Sequence, residues 1–174
     1  MKNIFFKYAV CSSLILISFK ICAEQPQGRQ MKTDQPDSDG PISCIITHSV
    51  LRSNVWVDVT FSNTTSVAVA VWERNLLKET ALTWVAFDVH LNGETVEYFG
   101  KEVKRLAPAP SEFYKLKPGE VYKASVDLSR YYDLSKAGTY QVKYFAINPP
   151  ESGGNLFVIK SPQIAIELNP ARHP

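Results

Sequence analysis

Apolar and polar residues alternate along much of this chain with a period of two, the repeat of strands that have one buried and one wet face. The clearest run is Val55-Trp56-Val57-Asp58-Val59-Thr60-Phe61, apolar at every odd position and followed by the turn-forming Ser62-Asn63-Thr64-Thr65. Trp56 departs from the polar face and is expected beneath a neighbouring loop. Ser66 to Trp72 is almost continuously apolar, which predicts a central strand. Trp84 to Leu91 sets Val85, Phe87, Val89 and Leu91 against Ala86, Asp88 and His90, and Asn92-Gly93 then predicts a tight hairpin with Thr95 to Phe99 returning. Val121 to Leu128, Gly138 to Tyr144 and Ile164 to Leu168 read as further strands.

The punctuation between these runs fits the same picture. Leu116 to Glu120 holds Pro118-Gly119, the dipeptide of a turn that needs a fixed φ followed by a positive one. Lys101 to Tyr114, with Pro108 and Pro110, reads as a surface loop, and Pro149 to Gly154 as a flexible one. Leu76 to Thr83 is the one hint of helix. Seven to nine strands with no crossover helix predict an all-β fold, an antiparallel Greek-key β-sandwich of immunoglobulin-like type. The core is expected to hold Val57, Val59, Phe61, Val89, Val126, Tyr140 and Val142. Tyr140 also stands where a tyrosine corner would return its hydroxyl across the turn from Asp133 to Gly138.

Residues 1–23 carry Lys2 and Lys7 ahead of an uncharged, mostly apolar run from Tyr8 to Phe19, the layout of a secretory signal peptide cut after Ala23. That run is too short to span a bilayer, which takes about 20 helical residues, so a soluble exported domain without a membrane span is expected, periplasmic or extracellular. Residues 24–40 read as a disordered leader and residues 41–170 as the sandwich domain. The full chain has 19 basic and 17 acidic residues; without the signal segment the basic count falls to 16. This near balance gives nucleic acid and anionic membrane no electrostatic footprint to bind. Cys11 and Cys22 fall in the signal segment, leaving Cys44 alone in an apolar run as a buried thiol.

Residue chemistry nominates no catalytic site, metal or cofactor. His48, His90 and His173 are far apart and lack zinc-ligand spacing, and no activated serine or cysteine motif occurs. Asp58, Asp88 and Asp127 are expected on outward-facing strand positions. Trp56, Trp72 and Trp84 are candidates for a carbohydrate platform, with core packing expected for at least two of them.

Residues from about 48 to 146 resemble the pro-region of the deuterolysin and peptidyl-Lys metalloendopeptidase family, the secreted aspzincin zinc proteases, as it occurs in bacterial members. The resemblance rests on Val57, Val59, Phe61, Asn63-Thr64, Phe87, Val89, Gly93 and Val96-Glu97-Tyr98-Phe99-Gly100. It continues through Val103-Lys104-Arg105, Pro108, Tyr114, Leu116, Pro118-Gly119, Val126-Asp127-Leu128-Ser129, Tyr132-Asp133-Leu134-Ser135, Gly138, Tyr140, Val142 and Tyr144. The zinc-protease half of the family is missing: there is no His-Glu-x-x-His, and Val142 stands where the family's Gly-Thr-x-x-Asp motif would place its aspartate after Gly138-Thr139.

The resemblance implies a domain that inhibits or chaperones a secreted aspzincin metalloendopeptidase by binding its active-site cleft. Many members prefer lysine after the cleaved bond, so Lys104, and next Lys101, become candidates for that specificity pocket. Arg105, Pro108 and Pro110 complete the expected partner-binding loop. The alternative is an exported immunoglobulin-like binding or adhesion module with no protease partner.

Overall fold

The computed structural model describes residues 40–78 and 81–169; the expected signal segment and nearly all of the leader lie outside them. In chain order the strands are β1 (Ile42–Leu51), β2 (Asn54–Asn63), β3 (Val69–Trp72), β4 (Phe87–Leu91), β5 (Glu94–Thr95), β6 (Phe113–Leu116), β7 (Val121–Asp127), β8 (Gly138–Asn148), β9 (Phe157–Lys160) and β10 (Ile164–Leu168). All pairings are antiparallel, as short turns without crossover helices dictate. One sheet runs β1-β2-β7, the second β10-β8-β4-β5, and β3 and β6 form a separate ribbon. The fold is an all-β, antiparallel sandwich-like arrangement with ten strands among the described residues, one more than the upper expectation.

Period-two alternation puts the expected residues inside: Val57, Val59, Phe61, Val89, Val126, Tyr140 and Val142 are all buried. The aromatic centre is Tyr144, fully buried, with Phe61, Phe87 and Trp84 edge-on to it at 5.4, 5.6 and 6.3 Å. Cys44 lies close by on β1, and burial pushes its thiol up to about 12. The Tyr140 hydroxyl donates to the Lys136 carbonyl at 3.0 Å, closing the turn before β8 as a tyrosine corner would. Asn92 and Gly93, with φ of 52° and 88°, make the predicted hairpin turn.

Several local expectations are overturned. Ser66 to Trp72 is not a central strand. Asn63 accepts from the Thr65 amide and donates to the Val67 carbonyl, which curls the first half into a turn and leaves Val67 exposed; only β3 extends, and it pairs with β6 alone. The strand expected from Trp84 begins at Phe87, with Ala86 buried and Val85 exposed. The return strand after Gly93 is two residues long. The loop expected to run to Tyr114 ends earlier, because Phe113 and Tyr114 belong to β6. The hint of helix at Leu76 to Thr83 is a short 3-10 turn at Glu73–Leu76, ended by Leu77 at φ 56°.

β9 is absent from the sequence reading, and its geometry explains why. β9 and β10 lie along β8 with registers offset by one residue, Phe145↔Lys160 against Val142↔Ile164. Between them Pro162 has no N–H to donate, and the Ser161 hydroxyl accepts from the Tyr144 amide instead.

Val59 is fully buried at the middle of β2, so Val59→Asp places an unpaired charge in the core and should abolish the cooperative thermal transition. Tyr140→Phe removes one hydrogen bond and should cost about 1 kcal/mol in urea unfolding, with the fold retained. A pH test concerns Glu120, whose carboxylate accepts from the Tyr114 hydroxyl at 2.6 Å and the Lys117 amide at 2.8 Å and is thereby held below its ordinary value. A lowered folded-state pKa gives stability that is complete above the ordinary value of 4.5 and is lost as pH falls through the lower folded value. The stability gap between wild type and Glu120→Gln should therefore narrow in acid, measured by urea midpoints across that range.

Candidate functional site

The expected partner-binding loop, Gly100 to Tyr114, gives way to β6 at Phe113 and is attached to the body at both ends. At its entrance Tyr98 stacks on Tyr131, with ring centroids 6.1 Å apart, meets Tyr132 edge-on at 5.4 Å, and donates its hydroxyl to the Leu82 carbonyl. Gly100 is demanded by this crowding, since an added Cβ would lie 2.9 Å from the Tyr131 ring and closer still to that of Tyr98. The Phe99 amide donates to the Tyr131 carbonyl at 3.0 Å. Three residues beyond Gly100, the Val103 amide donates to the Thr83 carbonyl at 2.9 Å.

Arg74 makes the second attachment. Its guanidinium sits between the rings of Trp72 and Trp84, 5.4 and 5.5 Å from their centroids, and donates to the carbonyls of Thr83 at 2.7 Å and Val103 at 3.3 Å. Both backbone groups of Val103 are thus bonded to the body. At the exit, Pro110–Glu112 forms a 3-10 turn, and the Glu112 carboxylate accepts from the Ala109 amide at 2.7 Å and faces the Arg105 guanidinium at 3.8 Å. The buried Phe113 then starts β6.

Between these attachments Lys101, Lys104 and Arg105 are exposed, Pro108 is half-buried, and the exposed Pro110 opens the 3-10 turn. The five expected residues therefore share one surface segment. Leu106, which sequence reasoning did not single out, projects from the same segment and is 92% exposed. Arg74 and Glu112, which hold the segment, were also missed. Arg74 reaches Val103 at a distance that chain order does not encode, although Trp72-x-Arg74 followed by Trp84 is a composition that a cation-π search would have flagged; Glu112 acts locally, on an amide three residues back.

The remaining chemistry is dispersed. Among the described residues no group of three or more His, Cys, Asp or Glu gathers where a metal ion could be held. His48 is exposed on β1; His90 is half-buried with Nε2 2.7 Å from an Asp88 carboxylate oxygen; His173 lies outside the described residues. Asp58 and Asp88 face outward, whereas Asp127 is buried. It accepts from the Asn54 side chain and the Ser129 amide, capping the 3-10 turn at Leu128–Arg130, a role that overrides strand alternation. The three tryptophans are half-buried rather than core residues, and two of them serve Arg74. No helix among the described residues is long and apolar enough to cross a membrane.

Fold and loop together define an all-β antiparallel sandwich that carries a surface segment pinned at both ends. No known protein-family profile matches the chain. Over 67 residues it is 31% identical to a protein named extracellular protease from Aeromonas hydrophila. That stretch is 38% of this chain and 19% of the protease, so the chain spans about a fifth of the relative's length. The finding is a protease-related likeness over part of the chain, coarser than the deuterolysin resemblance of the residue pattern.

Arg74→Ala removes charged hydrogen bonds from two carbonyls and should cost about 2 kcal/mol in global stability. Its specific signature is local: hydrogen exchange at the Val103 amide should accelerate well beyond that at β2 amides. Equal acceleration at both would show that Arg74 does not hold the loop.

Proposed function

We propose that this chain is a non-catalytic, exported domain that binds a secreted zinc endopeptidase of the aspzincin type across its active-site cleft, keeping it latent or assisting its folding. The observation that carries this reading is the doubly attached loop. A segment that enters a cleft loses conformational freedom, and every immobilised side chain or backbone bond subtracts from affinity. In this chain most of that ordering precedes binding: Val103 is bonded on both backbone groups, and Glu112 closes the exit. The partial likeness to an extracellular protease supports a protease as the partner rather than an unrelated receptor.

In this reading Lys104, one residue beyond the bonded Val103, enters the specificity pocket and Lys101 flanks it. The two prolines limit the conformations open to the segment beyond them. The domain supplies shape and charge, and the protease supplies the zinc.

The test is inhibition of a purified aspzincin endopeptidase by wild type, Lys101→Ala, Lys104→Ala and the double variant, each verified as folded by its melting curve. Lys104→Ala should raise the inhibition constant by about tenfold or more, as expected of a central anchor, and Lys101→Ala by less. The domain alone should hydrolyse no casein. Equal constants for all four proteins would remove the lysines from the mechanism. Absence of inhibition by wild type would instead favour an immunoglobulin-like binding module without a protease partner.

A further inference from the structure

Beside the loop, on the outer face of β4 and β8, lies an open groove of about 510 Å³. Its walls are apolar: Val85 and Phe145 stand partly exposed on one side and Val96 and Tyr98 on the other. Two phenols reach it, and both spend their protons on the protein itself. Tyr98 donates to the Leu82 carbonyl and Tyr132 to the Phe87 carbonyl at 2.6 Å. The groove's polar character therefore comes from charged side chains at its margins.

Those charges are unbalanced. Asp88 has the His90 ring at 2.7 Å, and Lys143, the one lysine among the described residues lining the groove, stands opposite Asp88 in the β4–β8 register. Glu97 and Glu102 also line the groove, and among the described residues neither forms an ion pair or a hydrogen bond. A trough with apolar walls and two uncompensated carboxylates suits an apolar stem ending in a cation, the form of a lysine or arginine side chain. Anions are repelled, and a purely apolar occupant would desolvate the two carboxylates without replacing their water.

We propose that the groove is a docking site for an extended peptide segment of a partner, taking a lysine or arginine side chain along Phe145 and Tyr98 with its cation at Glu97 and Glu102. The open ends and the length of the β4–β8 face admit apolar neighbours on either side of the basic residue. Glu102 lies between Lys101 and Val103, so an occupant of the groove also runs beside the pinned loop. The site takes a cation from the partner, whereas the loop offers cations to it, so the two contacts are chemically opposite. The groove does not depend on the partner being a protease.

The experiment is fluorescence anisotropy of the full chain with a labelled Gly-Val-Lys-Val-Gly peptide, against the same peptide with norleucine or glutamate in place of lysine. The lysine peptide should bind saturably and about tenfold more tightly than the norleucine peptide, and should weaken as salt screens the carboxylates. Glu97→Gln combined with Glu102→Gln keeps the shape and removes the charge, and should weaken binding about tenfold; Phe145→Thr, at an exposed strand position, should do the same. Lys101→Ala with Lys104→Ala removes cations beside Glu102 and should not weaken peptide binding, which separates this site from the inhibitory loop. No saturable binding, equal affinity for lysine and norleucine, or indifference to the double glutamine variant would each overturn the proposal. Self-association abolished by the glutamine variant, with no peptide bound, would assign the groove to a second copy and would overturn it equally.

Discussion

The side-chain amide of Asn148 is the contact on which the rest of this arrangement depends. It is wholly buried at the end of β8, where its oxygen accepts from the Trp72 amide and the Asn75 side chain, and its nitrogen donates to the carbonyls of Ala70 and Pro149. Asn75 uses its second proton on the Ile147 carbonyl, and its own carbonyl accepts the Tyr144 hydroxyl at 2.6 Å. A buried polar group left without a partner costs about 1–3 kcal/mol, so a cluster in which the Asn148 amide makes four hydrogen bonds strongly favours one arrangement of its three segments. The β3–β6 ribbon, which shares no ladder with either sheet, is thereby held against the aromatic centre of the core.

From this cluster the loop inherits its position. Asn75 follows Arg74 directly within the 3-10 turn at Glu73–Leu76, so fixing Asn75 against β8 also aims the guanidinium between Trp72 and Trp84. Arg74 then reaches the carbonyls of Thr83 and Val103, and Val103 sets where Lys104 leaves the surface. The connection runs from a buried amide to an exposed lysine through two contacts between distant residues, Asn148 with Asn75 and Arg74 with Val103, joined by the chain itself from Asn75 to Arg74 and from Val103 to Lys104. A surface segment positioned by the core in this way is ready for a partner before the partner arrives. The neighbouring groove shares this rigidity because β4 and β8 form its floor.

The site was legible in the sequence only in part. Lys101, Lys104, Arg105, Pro108 and Pro110 were visible as one basic, proline-bearing stretch without alternation, and they do share one exposed segment. What holds that segment was not visible, because Arg74 reads as an ordinary charged residue until the fold brings carbonyls and rings to it, and Glu112 until the Pro110–Glu112 turn brings the Ala109 amide to its carboxylate. Leu106 was overlooked for a related reason: a lone leucine in a loop reads as packing, and only the folded chain shows it exposed. Asp127 shows the converse error, a strand aspartate assigned to solvent that is buried as a cap.

By itself the sequence determined the all-β class, the antiparallel pairing, the Asn92-Gly93 hairpin and the buried residues of β2, β7 and β8, because period-two alternation and turn chemistry are local properties. The tertiary structure alone decided which apolar runs become sheet and which become ribbon. Ser66 to Trp72 failed as a central strand because Asn63 offered its backbone a competing turn, and β9 appeared because β8 is long enough to pair twice along one edge. It also decided the roles of Asn63, Asn75 and Asn148. A carboxamide costs little in water and costs heavily when buried without partners, so whether it is a turn residue or a keystone depends on groups that chain order leaves far apart.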